Sequence, residues 1–458
     1  MHKSKSSSHS NFSAHAKTDV DSIIYARWII PVEPDNKVYE HYALVIHHGK
    51  IMDLLPHDNC QKKYQSQTEH HLCSHVVIPG FINTHTHAAM SLMRGMADDL
   101  PLMQWLNKHI WPVESRHVNY QFVKDGTTLA IAEMLRSGTT TFHDMYFFPD
   151  AAAKAADEAG IRAAIGLIMI DFPSAWANDS DDYLHKGLKI YEQYRHHPLI
   201  STVFAPHAPY TVSDAPLKLL QSYAEKLEIP IHIHLHETHD EVEQAIKQTN
   251  MRPIERLQKL GLLSPFLIAV HMTQLNQQDI ALLKQHKVNI VHCPESNLKL
   301  ASGFCPVAQL LDNNINIALG TDGAASNNDL NMLGEMHSAA LLAKAVAQDA
   351  TALPAHSALK MATLNGAKAL GLEAITGSLM PGKAADICAL DLGQLESQPI
   401  YHPLSQIVYS SSREQVSDVW VQGRHLLNKR KLTTLDIDSI NKNAHYWADK
   451  IQQDLAEQ

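Results

Sequence analysis

Between residues 76 and 320 the chain repeats one pattern: a short run of consecutive apolar residues, then a longer stretch with apolar residues at i, i+3 and i+4 spacing. The runs fall at 76–82, 139–143, 162–170, 202–205, 231–236, 267–271, 289–292 and 316–320. Runs this short read as buried strands, and intervening segments such as 150–159, 214–227 and 277–286 read as amphipathic helices. Alternating strand and helix implies parallel strands joined by right-handed crossovers. The count of units predicts an α/β fold, a distorted (β/α)8 TIM barrel; an open doubly wound sheet is the competing arrangement.

The pattern differs at both ends. Residues 22–30, 42–46 and 50–55 form β-like runs separated by turn signals at Pro34-Asp35-Asn36, His48-Gly49-Lys50 and Pro56-His57-Asp58-Asn59. A second β-like set lies at 386–390, 406–408 and 416–421. Neither set is large enough to bury a core alone. The two chain ends are therefore expected to meet in one small β-sandwich domain. The expected division is a disordered Ser-, His- and Lys-rich tail (1–19), the first half of the β domain (20–78), the barrel (79–374), the second half (375–435) and a C-terminal helix (436–458). That helix carries Ile440, Ala444, Trp447 and Ile451 on one stripe, suited to packing on its own barrel.

Composition narrows the class. Apolar residues make up 45% of the 458 positions and charged residues 19%, enough for a large core and incompatible with global disorder. Lys+Arg minus Asp+Glu is 38 − 48 = −10, with no basic block, which excludes nucleic acid and anionic membrane surfaces as expected partners. No apolar run approaches the ~18–20 residues that span a bilayer. The five cysteines form no CxxC, which fits a reducing compartment and an expected cytoplasmic location.

The 31 histidines matter because of where they fall. Barrel active sites are built where strands finish. The first run is followed by His85 and His87, which share a face in extended chain. The second ends in His143-Asp144 and the fourth in Pro206-His207. The fifth carries His232, His234 and His236, then Glu237. The sixth ends in His271, the seventh in His292-Cys293-Pro294-Glu295 and the last in Gly320-Thr321-Asp322-Gly323. Metal-type ligands thus converge on one rim. Three imidazoles on one strand cannot all sit in a barrel interior without partners, so some are structural. Glu237 has the opposite parity to His232, His234 and His236 and reaches the same site only if the strand bends or ends there. An open set of His and Asp ligands suits a catalytic divalent ion, with Zn²⁺ first and Fe²⁺ or Mn²⁺ as alternatives.

These residues resemble the amidohydrolase superfamily. The carrying stretches are Pro79-Gly80-Phe81-Ile82-Asn83-Thr84-His85-Thr86-His87 and His234-Leu235-His236-Glu237. Within it the chain is similar to the methylthioadenosine/S-adenosylhomocysteine deaminase branch, through residues 94–100 (RGMADDL), 111–114 (WPVE), 206–210 (PHAPY) and 320–328 (GTDGAASNN). The resemblance implies one divalent metal ion held by His85, His87, His234 and Asp322. It implies Glu237 as proton shuttle, with His271 beside the attacking water and Asp322 also catalytic. Substrate would be held by Glu114 at ribose hydroxyls, His207 at the purine ring, and Glu237. The lysine that dinuclear relatives carry after strand four is missing from Phe204-Ala205-Pro206-His207, which favours one metal. Relatives that act on S-adenosylhomocysteine are expected to hold its carboxylate with arginines after strand three. Residues 166–182 contain no Arg or Lys but offer Phe172 and Trp176, which suits a methylthio group better. The implied activity is hydrolytic removal of the adenine C6 amino group from 5′-methylthioadenosine, with S-adenosylhomocysteine, adenosine and 5′-deoxyadenosine as further nucleoside substrates, by a homo-oligomer (dimer or tetramer). Competing readings are a chlorotriazine hydrolase, a guanine, cytosine or pterin deaminase, and an inactive barrel used as a binding module.

Overall fold

Uniform burial is what makes the eight apolar runs strands of one parallel sheet: except for Ser201, every residue in them is shielded from solvent. The structure, a computed structural model, describes residues 17–456. Phe81–Thr86, Thr139–Asp144, Arg162–Met169, Ile200–Pro206, Ile231–Leu235, Leu267–His271, Asn289–His292 and Ile317–Leu319 lie side by side in chain order, all parallel. Side-chain and loop bonds bridge the first and last strands. Asp322 N donates to His85 O (3.0 Å), Thr321 N to Asn83 Oδ1 (3.0 Å) and Asn83 Nδ2 to Thr321 Oγ1 (2.8 Å). Gly320 permits that closure, since a Cβ there would fall 2.8 Å from His85 Cβ. The result is a distorted (β/α)8 barrel.

The chain ends build one continuous mixed sheet. Its order is Lys431–Leu432, Arg424–Asn428, Val416–Val421, Ile387–Asp391, Glu69–Pro79, Ser22–Ile29, Tyr39–His47 and Lys50–Pro56. Ile24, Leu44, Ile46, Val77, Ile387 and Trp420 form a core of its own. A buried ion pair ties sheet to barrel: Arg162 Nε and Nη2 reach Asp386 Oδ2 and Oδ1 at 2.9 and 3.3 Å. The C-terminal helix Ile437–Ala456 buries Ile440, Trp447 and Ile451, and Trp447 Nε1 donates to Asp125 Oδ2 (2.9 Å) on the barrel helix Tyr120–Arg136.

Several expectations need correction. The apolar run at 76–82 is two elements: Glu69–Pro79 belongs to the mixed sheet and Phe81–Thr86 to the barrel. The break falls at Gly80, where a Cβ would lie 2.0 Å from the Thr140 side chain. Both flanking strands are buried, so hydrophobicity shows no boundary. Residues 406–408 are in a helix, Pro403–Tyr409, that buries Ile407 and Val408; Pro403 opens it with a backbone already set for a first turn. The turn expected at Pro56–Asn59 is instead the start of a helix, His57–Lys63. Of the tail expected to be disordered, residues 1–16 lie outside the described residues, and Thr18–Asp19 pairs in parallel with Tyr64–Gln65.

Candidate active site

The barrel strands deliver their polar residues to one end. His85 stands in the first strand, with His87 immediately after it. The fifth strand ends at Leu235, and His236 adopts a left-handed backbone, φ +52°. That reversal brings Glu237 to the same cavity as His234, which alternation along a straight strand forbids. Asp322 follows the last strand, also in the left-handed region at φ +63°.

Four ligand atoms meet in a small cradle. His85 Nε2 lies 3.1 Å from His234 Nε2 and 3.4 Å from Asp322 Oδ1, and His87 Nε2 lies 3.3 Å from the same oxygen. Ligands at ~2.1 Å from one tetrahedral cation stand about 3.4 Å apart. Protonation makes the same point. His234 Nδ1 faces the His207 carbonyl (2.7 Å) and His87 Nδ1 the Met145 carbonyl (2.6 Å), so both nitrogens carry hydrogen. Their Nε2 lone pairs therefore point at each other's neighbourhood and at a carboxylate oxygen, an all-acceptor cluster that a cation completes. Asp322 is oriented by Ser296 Oγ and Ser326 Oγ donating to Oδ2 at 2.6 and 2.9 Å, and by Gly323 N donating to Oδ1 at 2.8 Å. Burial pulls His87 down, but the Asp322 carboxylate prevails and lifts it to about 9, showing how strongly this oxygen favours a positive charge beside it. The residues fit one divalent ion, held by His85, His87, His234 and Asp322.

His232 and His236 bond to neighbouring groups. His232 Nε2 shares a proton with His85 Nδ1 (2.9 Å) and stacks on His143 at 3.9 Å between centroids. His236 bonds the Gln274 carbonyl and accepts from Ile254 N.

Above the cradle opens a cavity of about 490 Å³. His87, His234 and Asp322 form its floor, with Glu237, His271, His207 and Glu114 around it. Burial raises Glu237 above its ordinary value, opposed by His271 and reinforced by the Asp322 charge. His271 Nε2 stands 3.9 Å from Glu237 Oε1, while its Nδ1 bonds Asn297 Oδ1 (2.9 Å), leaving Nε2 a lone pair toward the cavity. Burial takes His207 down to about 3, so it stays neutral; its Nδ1 bonds Thr211 Oγ1 (3.0 Å). Burial pushes Glu114 up to about 7 against the opposing bond from Tyr146 OH (2.6 Å). The remaining wall is largely apolar and aromatic: Trp105, Ile110, Trp111, Phe147, Ile168 and Phe172 among others, with no Arg or Lys among the described residues.

Trp176 is the one expected site residue the structure places elsewhere. It is buried behind the wall, its ring 5.4 Å from Tyr183, while Phe172, Pro173, Ser174 and Ala175 face the cavity. The loop turns on Ser174 Oγ, which accepts from Trp176 N, and so directs the indole inward to the core. Tyr146, Asn297, Ser296 and Ser326 were not singled out from the sequence. Tyr146, Asn297 and Ser296 each bond a site residue at least 26 positions away, which no local spacing signals, whereas Ser326 bonds Asp322 four positions away, within the 320–328 stretch.

Fold and site together are those of a (β/α)8 barrel whose strand ends form a His and Asp cradle suited to a divalent metal ion. The Amidohydrolase family model matches residues 76–426. Saccharophagus degradans has a relative named 5-methylthioadenosine/S-adenosylhomocysteine deaminase that is 53% identical over 96% of this chain and 99% of its own length. A relative of the same name from Teredinibacter turnerae is 50% identical over 95% and 98%. A solved adenosine deaminase from Xanthomonas campestris with bound zinc superposes with TM-score 0.95 at 47% identity, covering 96% of this chain and all of that one. The chain belongs to the amidohydrolase family.

Proposed function

We propose that the protein hydrolyses the C6 amino group of 5′-methylthioadenosine, releasing ammonia and the inosine derivative, with one zinc ion in the cradle. The observation that carries this is a buried Glu237 beside a three-imidazole, one-carboxylate cation cradle, in a cavity whose described wall offers a carboxylate, Glu114, and no cationic side chain. The close relatives' names and the zinc-bound relative support it.

A divalent ion bound there supplies Lewis acidity, lowering the pKa of water from 15.7 toward about 7. The chain's own groups do the rest. His271 Nε2 accepts a hydrogen bond from the attacking water and fixes its direction. Glu237 donates its proton to ring N1, which makes C6 electrophilic. As the water oxygen bonds to C6, Asp322 Oδ1 takes one of its protons and passes it to the exocyclic nitrogen. The C6–N bond then breaks, ammonia leaves, and the remaining hydroxyl proton returns to Glu237, giving the C6 carbonyl. Proton transfer of this kind contributes ~10²–10⁴ in rate. Glu114 accepts from the vicinal ribose hydroxyls, and His207 meets the purine edge. The apolar wall at Phe172 receives the methylthio group. An amino-acid tail meets no guanidinium there, so S-adenosylhomocysteine is the poorer substrate. A triazine reaction leaves Glu114 without a task.

The test is a panel of 5′-methylthioadenosine, S-adenosylhomocysteine, adenosine, 5′-deoxyadenosine, guanine and a chlorotriazine, run with the wild type and with Glu237→Gln. The expected result is the highest kcat/KM for methylthioadenosine, with ammonia released, and a Glu237→Gln protein that keeps its metal but loses at least about 10²-fold in turnover. Preference for guanine or the chlorotriazine overturns the proposal, as does full turnover by the variant.

A further inference from the structure

One half-buried carboxyl group beside the site has no part in the chemistry above. Glu241 is the third residue of the helix His239–Thr249, and its side chain turns back over the end of the fifth strand. Its Oε1 accepts from His236 N at 3.0 Å and its Oε2 from Glu237 N at 2.7 Å, so one carboxylate holds two consecutive amides. These are the amides on either side of the left-handed turn at His236, φ +52°. The same peptides are held from the opposite side: Thr273 Oγ1 donates to Glu237 O (2.7 Å), and Thr273 N and Gln274 N donate to His236 O (3.0 and 3.2 Å). The Glu237 carboxyl itself stands 3.9 Å from His271 Nε2, beyond hydrogen-bond reach. Its direction is therefore set through its backbone, and that backbone adopts a conformation an L-residue enters only when its surroundings enforce it.

We propose that Glu241 is a positioning residue: by clamping the amides of His236 and Glu237 it fixes the turn that aims the Glu237 carboxyl at the reacting ring. This rests on Glu237 being the acid–base group. A carboxyl group suits the task because each of its two oxygens accepts from one amide. Glutamine can accept from only one, and its NH₂ opposes the other N–H. Alanine releases both.

The experiment measures kcat and KM on 5′-methylthioadenosine for Glu241→Gln, Glu241→Ala, Glu237→Gln and the Glu237→Gln/Glu241→Gln double variant, with metal content per chain for each. Misplacement of a catalytic group by an ångström costs about 10²-fold in rate. The expected result is a kcat loss of about 10²-fold for alanine and a smaller loss for glutamine, with KM within about threefold and metal content unchanged. The double variant should turn over within about threefold of Glu237→Gln alone, because a residue acting only through Glu237 has nothing left to lose once Glu237 is gone. Should the alanine variant fail to fold, the near-isosteric glutamine variant and the double variant carry the test. A Glu241→Gln protein indistinguishable from wild type, one that loses its metal, or a double variant about tenfold or more below Glu237→Gln overturns the proposal. If Glu237→Gln itself keeps full turnover, the acid–base reading of Glu237 has failed, and that outcome is distinct from failure of the clamp alone.

Discussion

Replacing Glu114 with glutamine isolates the contribution of one charge to nucleoside recognition. Glu114 Oε1 already accepts from Tyr146 OH at 2.6 Å. Glutamine can keep that bond and turn its NH₂ to the ribose, so shape is preserved while the charge is lost. A hydrogen bond to a charged acceptor is worth ~1.5–3 kcal/mol and a neutral one ~0.5–1.5, a difference of roughly 1–1.5 kcal/mol for each hydroxyl. Two vicinal hydroxyls give roughly 2–3 kcal/mol, or about 30- to 160-fold in kcat/KM. The assay compares wild type and Glu114→Gln on 5′-methylthioadenosine and on its 2′,3′-dideoxy analogue. The wild type should strongly prefer the ribonucleoside, and the variant should nearly lose that preference. The pH profile adds a sign. Burial pushes Glu114 up to about 7, and the charged form is the one that binds. Wild-type kcat/KM should therefore hold at higher pH and fall as pH drops through that value, while this limb vanishes in the variant. A divalent ion in the cradle draws the value downward, so the fall begins at or below pH 7. A variant within threefold of wild type on the ribonucleoside, or one that loses equally on both substrates, refutes the assignment.

Two further changes probe the frame around the site. Arg162→Met leaves Asp386 charged and buried between barrel and mixed sheet, and should cost about 3–5 kcal/mol of unfolding free energy in urea titration; a loss under about 1 kcal/mol contradicts the coupling role given to this pair. Trp447→Ala removes a large buried ring and its bond to Asp125, and should cost about 3–5 kcal/mol while leaving kcat/KM at room temperature unchanged. An unaltered unfolding midpoint contradicts the packing described for the C-terminal helix.

The barrel was legible because each strand is buried on both faces and so reads as a solid apolar run, with the ligands directly at the run's end. The same solidity hid the boundary at Gly80, where one buried strand hands over to another. The helix Pro403–Tyr409 was not legible because its two consecutive apolar residues, Ile407 and Val408, are compatible with either period. Parity placed His85, His87 and His234 correctly on shared faces but could not deliver Glu237. Its position depends on a left-handed φ at His236, a residue whose side chain gives no sign of it, and on a carboxylate five residues further on. Trp176 looked like a site residue because it is aromatic and sits in the right loop; its direction is set by the Ser174 turn. The bonds of Ser296 to Asp322 and of Asn297 to His271 join residues 26 positions apart that the folded barrel brings together.

We propose that His85, His87, His234 and Asp322 together hold a single divalent cation. A crystal of the protein purified with zinc, measured on both sides of the zinc absorption edge, gives an anomalous difference map that locates every such ion. One strong peak should appear within bonding distance of His85 Nε2, His87 Nε2, His234 Nε2 and Asp322 Oδ1. No peak there, or a second of equal height beside it bridged by other groups, would contradict it.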